Sequence, residues 1–495
     1  MDMTFIGHNA MYFGGDDGLL VDPVLEKTYG DDYTSSPVEI YPPRQVLFDE
    51  MPRPSAIVVS HEHSDHFQVA SLNRLDRSAT VYVGPLMPQP IRTLLSNLGF
   101  EVIVAKFGQE YSAGDDVLFQ LYPAGNNTAL WESRVSQIYV RDAVTPDLGG
   151  IFVTVDALPS ERFIQDVRAG IVPAPSVYGC SNNAQVTPPG VYGSTDNMVD
   201  EHTFAGVGQR SAIPGVEILA ALFDDSLTPF PELLDADLLI TGGGFLKDYE
   251  QMGPFPLSDQ KVMAAALQRL CENTMAFGPS PGDRFEFKSG RLKQTDADAT
   301  WVRLDTRRWN ELMQRRERFI QEDGRIPSKE ISASLTTNEV ADVLPVVEDG
   351  LAYLARLLLT TDYSAMLKRS SIDEGRAHDL FLFRLVNGGD RYEWALDLRL
   401  SRFIPVDDAT ADSDAVAHYP FGICTQLADW YNVLTGHLQI WDIVGVAMRS
   451  WYPSDYGRSP VFALYNGFGE QARPDIAFDI YKRQLARVLQ ADPIG

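Results

Sequence analysis

Histidine is scarce in this chain, with 8 in 495 residues, and cysteine is scarcer, with 3. Cys180, Cys271 and Cys424 lie far apart with no C-x-x-C spacing. That excludes a disulfide framework, fits a reducing cytoplasm and makes all three candidates for small buried hydrophobes. Uninterrupted apolar runs are short, none approaching the roughly 18 residues of a membrane span. The opening "MDMTFIGHNAMYF" lacks a basic segment followed by an apolar one, so no signal peptide is expected and the cytoplasm is the expected location. Basic residues are also under-represented, 41 against 68 acidic, for a formal charge of −27. Such a surface repels nucleic acid and anionic lipid, so neither is an expected partner. The remaining composition, 44% hydrophobic and 22% charged, is that of an ordinary globular protein. Its length allows roughly two to four domains, and no internal repeat is evident.

Along the chain, Thr4 to Phe13 and "GLLVDP" read as strands joined by the turn "GGDDG". After a Pro-, Tyr- and Asp-rich loop, "AIVVS" is a short, fully apolar run of the kind that forms a buried strand. "TVYVG", "EVIVAKF", "VLFQLYP" and "GIFVTVDAL" are further strands, and "VASLNRL", "IRTLLSNLGF" and "SERFIQDVRAG" are helices. Apolar strands alternating with helices predict an α/β sandwich. A Pro/Gly/Asn-rich excursion runs from Pro173 to about Asp200, before a helix at "GVEILAALF" and a strand at "DADLLITGGGF". The polar stretch around Gly290 is taken as the boundary between residues 1–280, a catalytic domain, and residues 300–495, an α+β domain covering the site. In the latter, "FLFRLVNGGDRYEWALDLRL" predicts a hairpin with an exposed face. "GLAYLARLLL", "TQLADWYNVL" and "IAFDIYKRQLARVL" have helical periodicity, and Trp430, Tyr431 and Trp441 read as core.

Against this scarcity, "HEHSDH" places three histidines and an aspartate in six positions directly after the buried strand "AIVVS". In an extended chain residues i and i+2 share a face, so His61 and His63 can reach one cation. Once the chain tightens, the adjacent Asp65 and His66 can turn toward a second. Two cations acting on one substrate stand about 3.5–4 Å apart. Imidazole with carboxylate suits zinc, iron or manganese. A polar loop with clustered histidines is the bland alternative, and the low histidine content argues against it.

The motif resembles the metal-binding motif of the metallo-β-lactamase superfamily, and "FIGHNAMYF" followed by "LLVDPV" is similar to that fold's opening hairpin. Over roughly residues 1 to 250 the resemblance implies an αββα metallo-β-lactamase sandwich with a dinuclear site at one edge of the sheets and Asp22 beneath it. It also implies a third histidine on the loop after "VLFQLYP", but that loop reads "AGNNTALWESRV" and has none. Asn126 and Asn127 offer weak amide ligands, which leaves Glu132 as the strong candidate; its alternative is a surface carboxylate or an ion pair with Arg134. Asp156, ending "GGIFVTVDALP", falls where the superfamily carries the aspartate shared by both metals, and Ser160 is the better placed helix cap. The last expected imidazole, after "DADLLIT", is absent. His202 either reaches the second metal or is an ordinary polar histidine. His8, in "GHN", either orients a ligand or substrate at the sheet edge or is structural. His378, His418 and His437 lack ligand spacing.

The candidate set is thus His61, His63 and Glu132 on one ion, Asp65, His66 and His202 on the other, and Asp156 as bridge, with Asp65 and Asp156 the catalytic carboxylates. A glutamate replacing the third histidine resembles the superfamily's diiron oxygenase branch, the β-hydroxylases of chloramphenicol-type natural-product pathways. No Cys-x-His pair is present for a Rieske cluster of the kind found in another oxygen-using branch. The expectation is a two-iron oxygenase that hydroxylates or oxidises a small metabolite, using dioxygen and an external electron donor such as a reductase. The alternative is a two-zinc hydrolase of an ester, amide or phosphodiester. A metal-poor binding scaffold is a third class, and the intact "HEHSDH" argues against it.

Overall fold

The computed structural model describes residues 1–29, 38–126, 128, 132–181, 230–242, 245–247, 260–270, 274–321, 334–361, 363–406, 418–440, 443, 448–451, 461–469, 472–473, 479–480, 482–483 and 485–486. Two sheets dominate its first three hundred residues. The first has eight strands in the order Arg291–Gln294, Arg284–Lys288, Asp2–Gly7, Ala10–Phe13, Leu19–Val21, Ala56–Val59, Thr80–Val83 and Glu101–Val104. The second has seven: Glu110–Ala113, Val117–Pro123, Ser136–Asp142, Ile151–Val153, Val177–Ser181, Asp237–Thr241 and Ala276–Phe277.

Between the sheets lies a continuous apolar layer in which Phe5, Met11, Val21 and Val58 face Phe119, Leu121, Ile138 and Val153. The outer face of the first sheet, through Ile57, Val59, Val81 and Val83, packs on Ile91, Leu94 and Leu95 of the helix Gln89–Asn97. On the far side Tyr139 and Phe152 pack on Phe163 of the helix Glu161–Arg168, with the Phe152 and Phe163 rings stacked at 3.9 Å. Helix, sheet, sheet, helix is the predicted αββα layering. It follows from strands that carry apolar residues on both faces.

Two expectations differ from the structure here, and one strand lies where none is expected. Thr4 to Phe13 is a hairpin of its own: Asp2–Gly7 and Ala10–Phe13 pair antiparallel around His8 and Asn9. Gly7 has φ +128° and His8 φ +56°, a left-handed corner that two residues suffice to turn. The polar stretch around Gly290 is also a hairpin. Its strand Arg284–Lys288 pairs with Asp2–Gly7, so it extends the first sheet rather than leaving it. The strand Ser136–Asp142 carries no apolar signal at Ser136, Gln137, Arg141 and Asp142, yet all seven residues are buried at the centre of the second sheet.

Beyond residue 330 the strands run in the order Arg402–Pro405, Asp390–Asp397, Phe381–Asn387, Phe421–Gln426 and Met448–Trp451. The helix Thr337–Thr360 packs on this sheet, and its start is fixed by a reciprocal cap between Thr336 and Glu339. The predicted hairpin over 381–397 forms with Gly388 and Gly389 in its turn, but it has no exposed face. One side carries Phe383, Leu385 and Leu396 into the core around the fully buried Trp430, and the other carries Leu382, Ala395 and the buried Arg384–Glu393 ion pair. Tyr431 packs at the edge of that core, whereas Trp441, the helix at 215–223 and most of the helix at 476–489 lie outside the described residues. Val24, two residues after Asp22, and Ile40, at the end of the strand Val38–Ile40, belong to this same core, so the α+β part grips the chain next to the candidate site. Among the described residues no helix is long and apolar enough to cross a membrane.

Phe119, 1% exposed between the two sheets, tests the layered core. Phe119→Ala is expected to cost about 3–5 kcal/mol, read as a lower midpoint of thermal unfolding; an unchanged midpoint would contradict the packing described.

Candidate metal centre

Several loops meet where parallel strands end. Asp22 follows Leu19–Val21, His61 follows Ala56–Val59, Asp156 follows Ile151–Val153, and Gly242 follows Asp237–Thr241. Carboxyl ends of parallel strands are where open α/β sheets place ligands, because the loops there are free to vary. Three residues in this edge, His8, Asp22 and Val155, have φ of +56°, +43° and +55°. A left-handed β-branched residue is a marked outlier, costing on the order of 1–3 kcal/mol. At Val155 it turns the chain so that Asp156 faces inward rather than continuing the strand.

Two side-chain groups result. In the first, His61, His63, Glu132 and Asp156 each bring one ligand atom to a common centre. His61 Nε2 lies 3.8 Å from Glu132 Oε2 and 3.8 Å from Asp156 Oδ2, and His63 Nδ1 lies 3.7 Å from Glu132 Oε2. In the second, His8, Asp65 and His66 converge. His66 Nε2 is also 2.9 Å from Asp156 Oδ2, so one aspartate touches both groups. His202 lies outside the described residues. His378 and His418 are half-exposed beside Asp379, and His437 bonds Thr435, all outside these two groups.

Asp22 sets the direction of two of the rings. Its carboxylate, fully buried, accepts from the Ser60 backbone N–H and hydroxyl, both at 2.8 Å, and from His66 Nδ1 at 2.8 Å. An acceptor there keeps a proton on His66 Nδ1, so the proton that a metal displaces is the one on Nε2, whose lone pair then points into the centre. With its own proton given to Asp22, the Ser60 oxygen accepts from His61 Nδ1 at 3.0 Å, so His61 Nε2 is likewise a lone pair. Metal-binding histidines are held by such partners.

Glu132 is neither a surface carboxylate nor the partner of Arg134. Arg134 pairs instead with Glu62, whose side chain is fully buried. This buried pair ties the loop carrying Glu132 to the motif segment. The same loop is tied to the Asp156 loop by Gly125 N–H to Leu158 C=O at 2.9 Å and Leu158 N–H to Thr128 Oγ1 at 3.1 Å. A Cβ on Gly125 would stand 2.4 Å from the Pro159 oxygen, so only glycine allows that approach. Asn126 donates its N–H to Glu161, and Asn127 is outside the described residues. Ser160 caps the helix Glu161–Arg168, which leaves Asp156 to the centre.

Two buried ligand atoms, His61 Nε2 and Glu132 Oε2, have no hydrogen-bond partner among the described residues. Such atoms cost about 1–3 kcal/mol each, and a cation between them removes that cost. The electrostatics also call for positive charge. Burial, with Asp156 beside it, pushes the Glu132 carboxyl well above its usual range. Burial works to lower the His66 pKa, but the Asp156 and Asp65 carboxylates outweigh it and hold it well above its usual value. Burial and the neighbouring His66 and His63 rings keep His61 neutral. The residues present therefore fit a metal centre. The sequence signals for His61, His63, Asp65, His66, Glu132 and Asp156 bring those six side chains together. It missed Ser60, Glu62 and Arg134, although the i, i+2 alternation already placed Glu62 opposite the two histidines.

No family model and no curated protein matches the chain. Among solved structures it is similar to an isothiocyanate hydrolase from Delia radicum gut bacteria, at 14% identity and TM-score 0.37 over 58% of this chain and 100% of that one. It is similar to Igni18, a metallo hydrolase from Ignicoccus hospitalis, at 16% identity and TM-score 0.33 over 58% and 99%. It is also similar to CmlA, a diiron β-hydroxylase from Streptomyces venezuelae, at 14% identity and TM-score 0.34 over 59% and 54%.

Two outcomes follow from this geometry. Asp22→Asn keeps the shape but replaces an all-acceptor group, and is expected to weaken metal binding about 10–100-fold in calorimetric titration; wild-type affinity would contradict the role given to Asp22. Metal uptake near pH 7 should release protons, because His66 and Glu132 both hold theirs above their usual range and must lose them to bind. Apparent affinity should then fall as pH is lowered, and titration heats that do not depend on the buffer would contradict it. The αββα layering with this motif at the carboxyl ends of its strands is the architecture that the resemblance to the metallo-β-lactamase superfamily implies.

Proposed function

We propose that this chain is a dinuclear metal enzyme of the non-haem iron oxygenase type, acting on a small organic molecule. One observation supports it above the others: the side chain facing His61 and His63 is the Glu132 carboxylate rather than a third imidazole. With Asp156 and Asp65 it makes the ligand set rich in anionic oxygen, which suits iron and favours its higher oxidation states. Two bound iron ions would supply dioxygen activation, the net change being R–H, O2, two electrons and two protons to R–OH and water.

The chain's own residues do the rest. Ser60 and Asp22 hold the His61 and His66 rings so that each aims Nε2 at the centre. Asp156, 2.9 Å from His66 and 3.8 Å from His61, is the carboxylate placed to serve both sides. The Glu62–Arg134 pair keeps Glu132 in register without neutralising it. The α+β part, whose core takes in Val24, stiffens the loop carrying Asp22, and in this reading it would also select the substrate. The external electron donor, a reductase or small carrier, belongs to this reading.

One observation favours a zinc hydrolase instead: counting His8, four buried imidazoles surround the centre, and nitrogen-rich sets suit zinc. The same side chains would then hold two zinc ions, which would supply activation of water for hydrolysis of an ester, amide or phosphodiester.

Metal analysis of protein produced with ample iron and zinc separates the two. The oxygenase reading expects about two irons per chain, a visible absorption band, and dioxygen consumption on reduction. Two zincs in a colourless protein inert to dioxygen would overturn it in favour of hydrolysis. Glu132→His should raise the ratio of zinc to iron taken up, and an unchanged ratio would remove Glu132 from the argument.

A further inference from the structure

The place where the last imidazole is expected, just after the strand Asp237–Thr241, is occupied by Gly242. The structure brings a different histidine to that place. His8 forms an isolated antiparallel bridge with Gly242, whose N–H donates to the His8 carbonyl at 2.9 Å. Its ring is fully buried and reaches into the second group of ligand atoms.

Three atoms define that group. His8 Nε2 lies 3.3 Å from His66 Nε2 and 3.0 Å from Asp65 Oδ2, and Asp65 Oδ2 lies 3.5 Å from His66 Nε2. Ligands bonded at about 2.1 Å to one ion stand about 3.0 Å apart at right angles and about 3.4 Å apart in a tetrahedron. The triangle has the edges of a coordination polyhedron. The bond to Asp22 keeps a proton on Nδ1 of His66, so Nε2, 3.3 Å from His8 Nε2, is the ring atom left to bind a cation. A cation lets both rings present lone pairs to the same point.

We propose that His8 is the third protein ligand of the second metal ion, with Asp65 and His66 and with Asp156 as the shared carboxylate. The imidazole thus comes from the tip of the first hairpin rather than from the later strand or from His202. Here the left-handed backbone at His8 has a use. With φ at +56°, after Gly7 at +128°, the chain turns at the hairpin tip while the ring enters the centre. Gly7 is needed for close approach as well, since a Cβ there would stand 2.8 Å from the Arg44 side chain packed beneath the turn. This inference rests on the dinuclear reading above but not on the identity of the metal.

Cobalt(II) titration of the full chain, followed by absorption and by bound metal after desalting, tests it. His8→Gly suits the purpose because glycine prefers the backbone conformation found there, so the fold is kept. Wild-type protein should take up two cobalt ions. His8→Gly should keep the first at unchanged affinity and bind the second at least about tenfold more weakly, and added imidazole should restore it by filling the space left. His202→Ala should take up both ions as wild type does. A His8→Gly protein that binds two ions with wild-type affinity would overturn the assignment. So would loss of the second ion in His202→Ala alone. Wild-type uptake of fewer than two ions would overturn the dinuclear reading itself, which keeps the two failures distinct.

Discussion

The carboxylate of Asp22 is the fixed point of this molecule. It has no exposure to solvent and accepts three hydrogen bonds, all at 2.8 Å: two from Ser60 and one from His66. Its own N–H bonds Val58 in the neighbouring strand. A buried aspartate without donors would be expensive to keep. Here its donors come from the segment that must be oriented. The direct bond to His66 and the relayed bond through Ser60 to His61 convert one negative charge into two aligned imidazoles, one for each half of the centre. The sandwich core holds the strand on one side of Asp22, and Val24 and Ile40 sit in the core of the α+β part on the other. Two hydrophobic cores thus hold one carboxylate.

The strain found at the site fits this arrangement. His8, Asp22 and Val155 all take left-handed backbone conformations at the ends of strands, where each side chain must turn from the strand toward the centre. Packing elsewhere over-determines these corners. The Glu62–Arg134 pair has a similar role for Glu132. Buried ion pairs add little net stability, but they fix one geometry among several, and here the geometry is the distance between two loops.

How much of this was legible in the sequence depended on range. The "HEHSDH" segment could be read because the period of a strand puts His61 and His63 on one face, and Asp156 because a buried strand ends beside it. The layering followed from continuous apolar strands. Other features depended on contacts between distant residues. The strand Ser136–Asp142 has polar residues that neighbouring elements satisfy, Gln137 bonding Leu158 and Ser160, and Arg141 bonding Glu110 and Pro146. The hairpin at 284–294 has an alternating pattern, but only its pairing with Asp2–Gly7 distinguishes it from a linker. His8 was visible as a histidine near the edge. Its entry into the centre needed the corner at Gly7 and the neighbouring Gly242, which lie at opposite ends of the sandwich sequence.

The proposed centre needs a carboxylate and two imidazoles sharing one ion, beside a second ion reached through Asp156. X-ray diffraction from metal-loaded crystals, recorded on both sides of the iron absorption edge, measures this directly. Two anomalous peaks about 3.5–4 Å apart, one against His61, His63 and Glu132 and the other against Asp65 and His66, are the expected result. A single peak, or two peaks with the Glu132 side chain turned away from both, would contradict it.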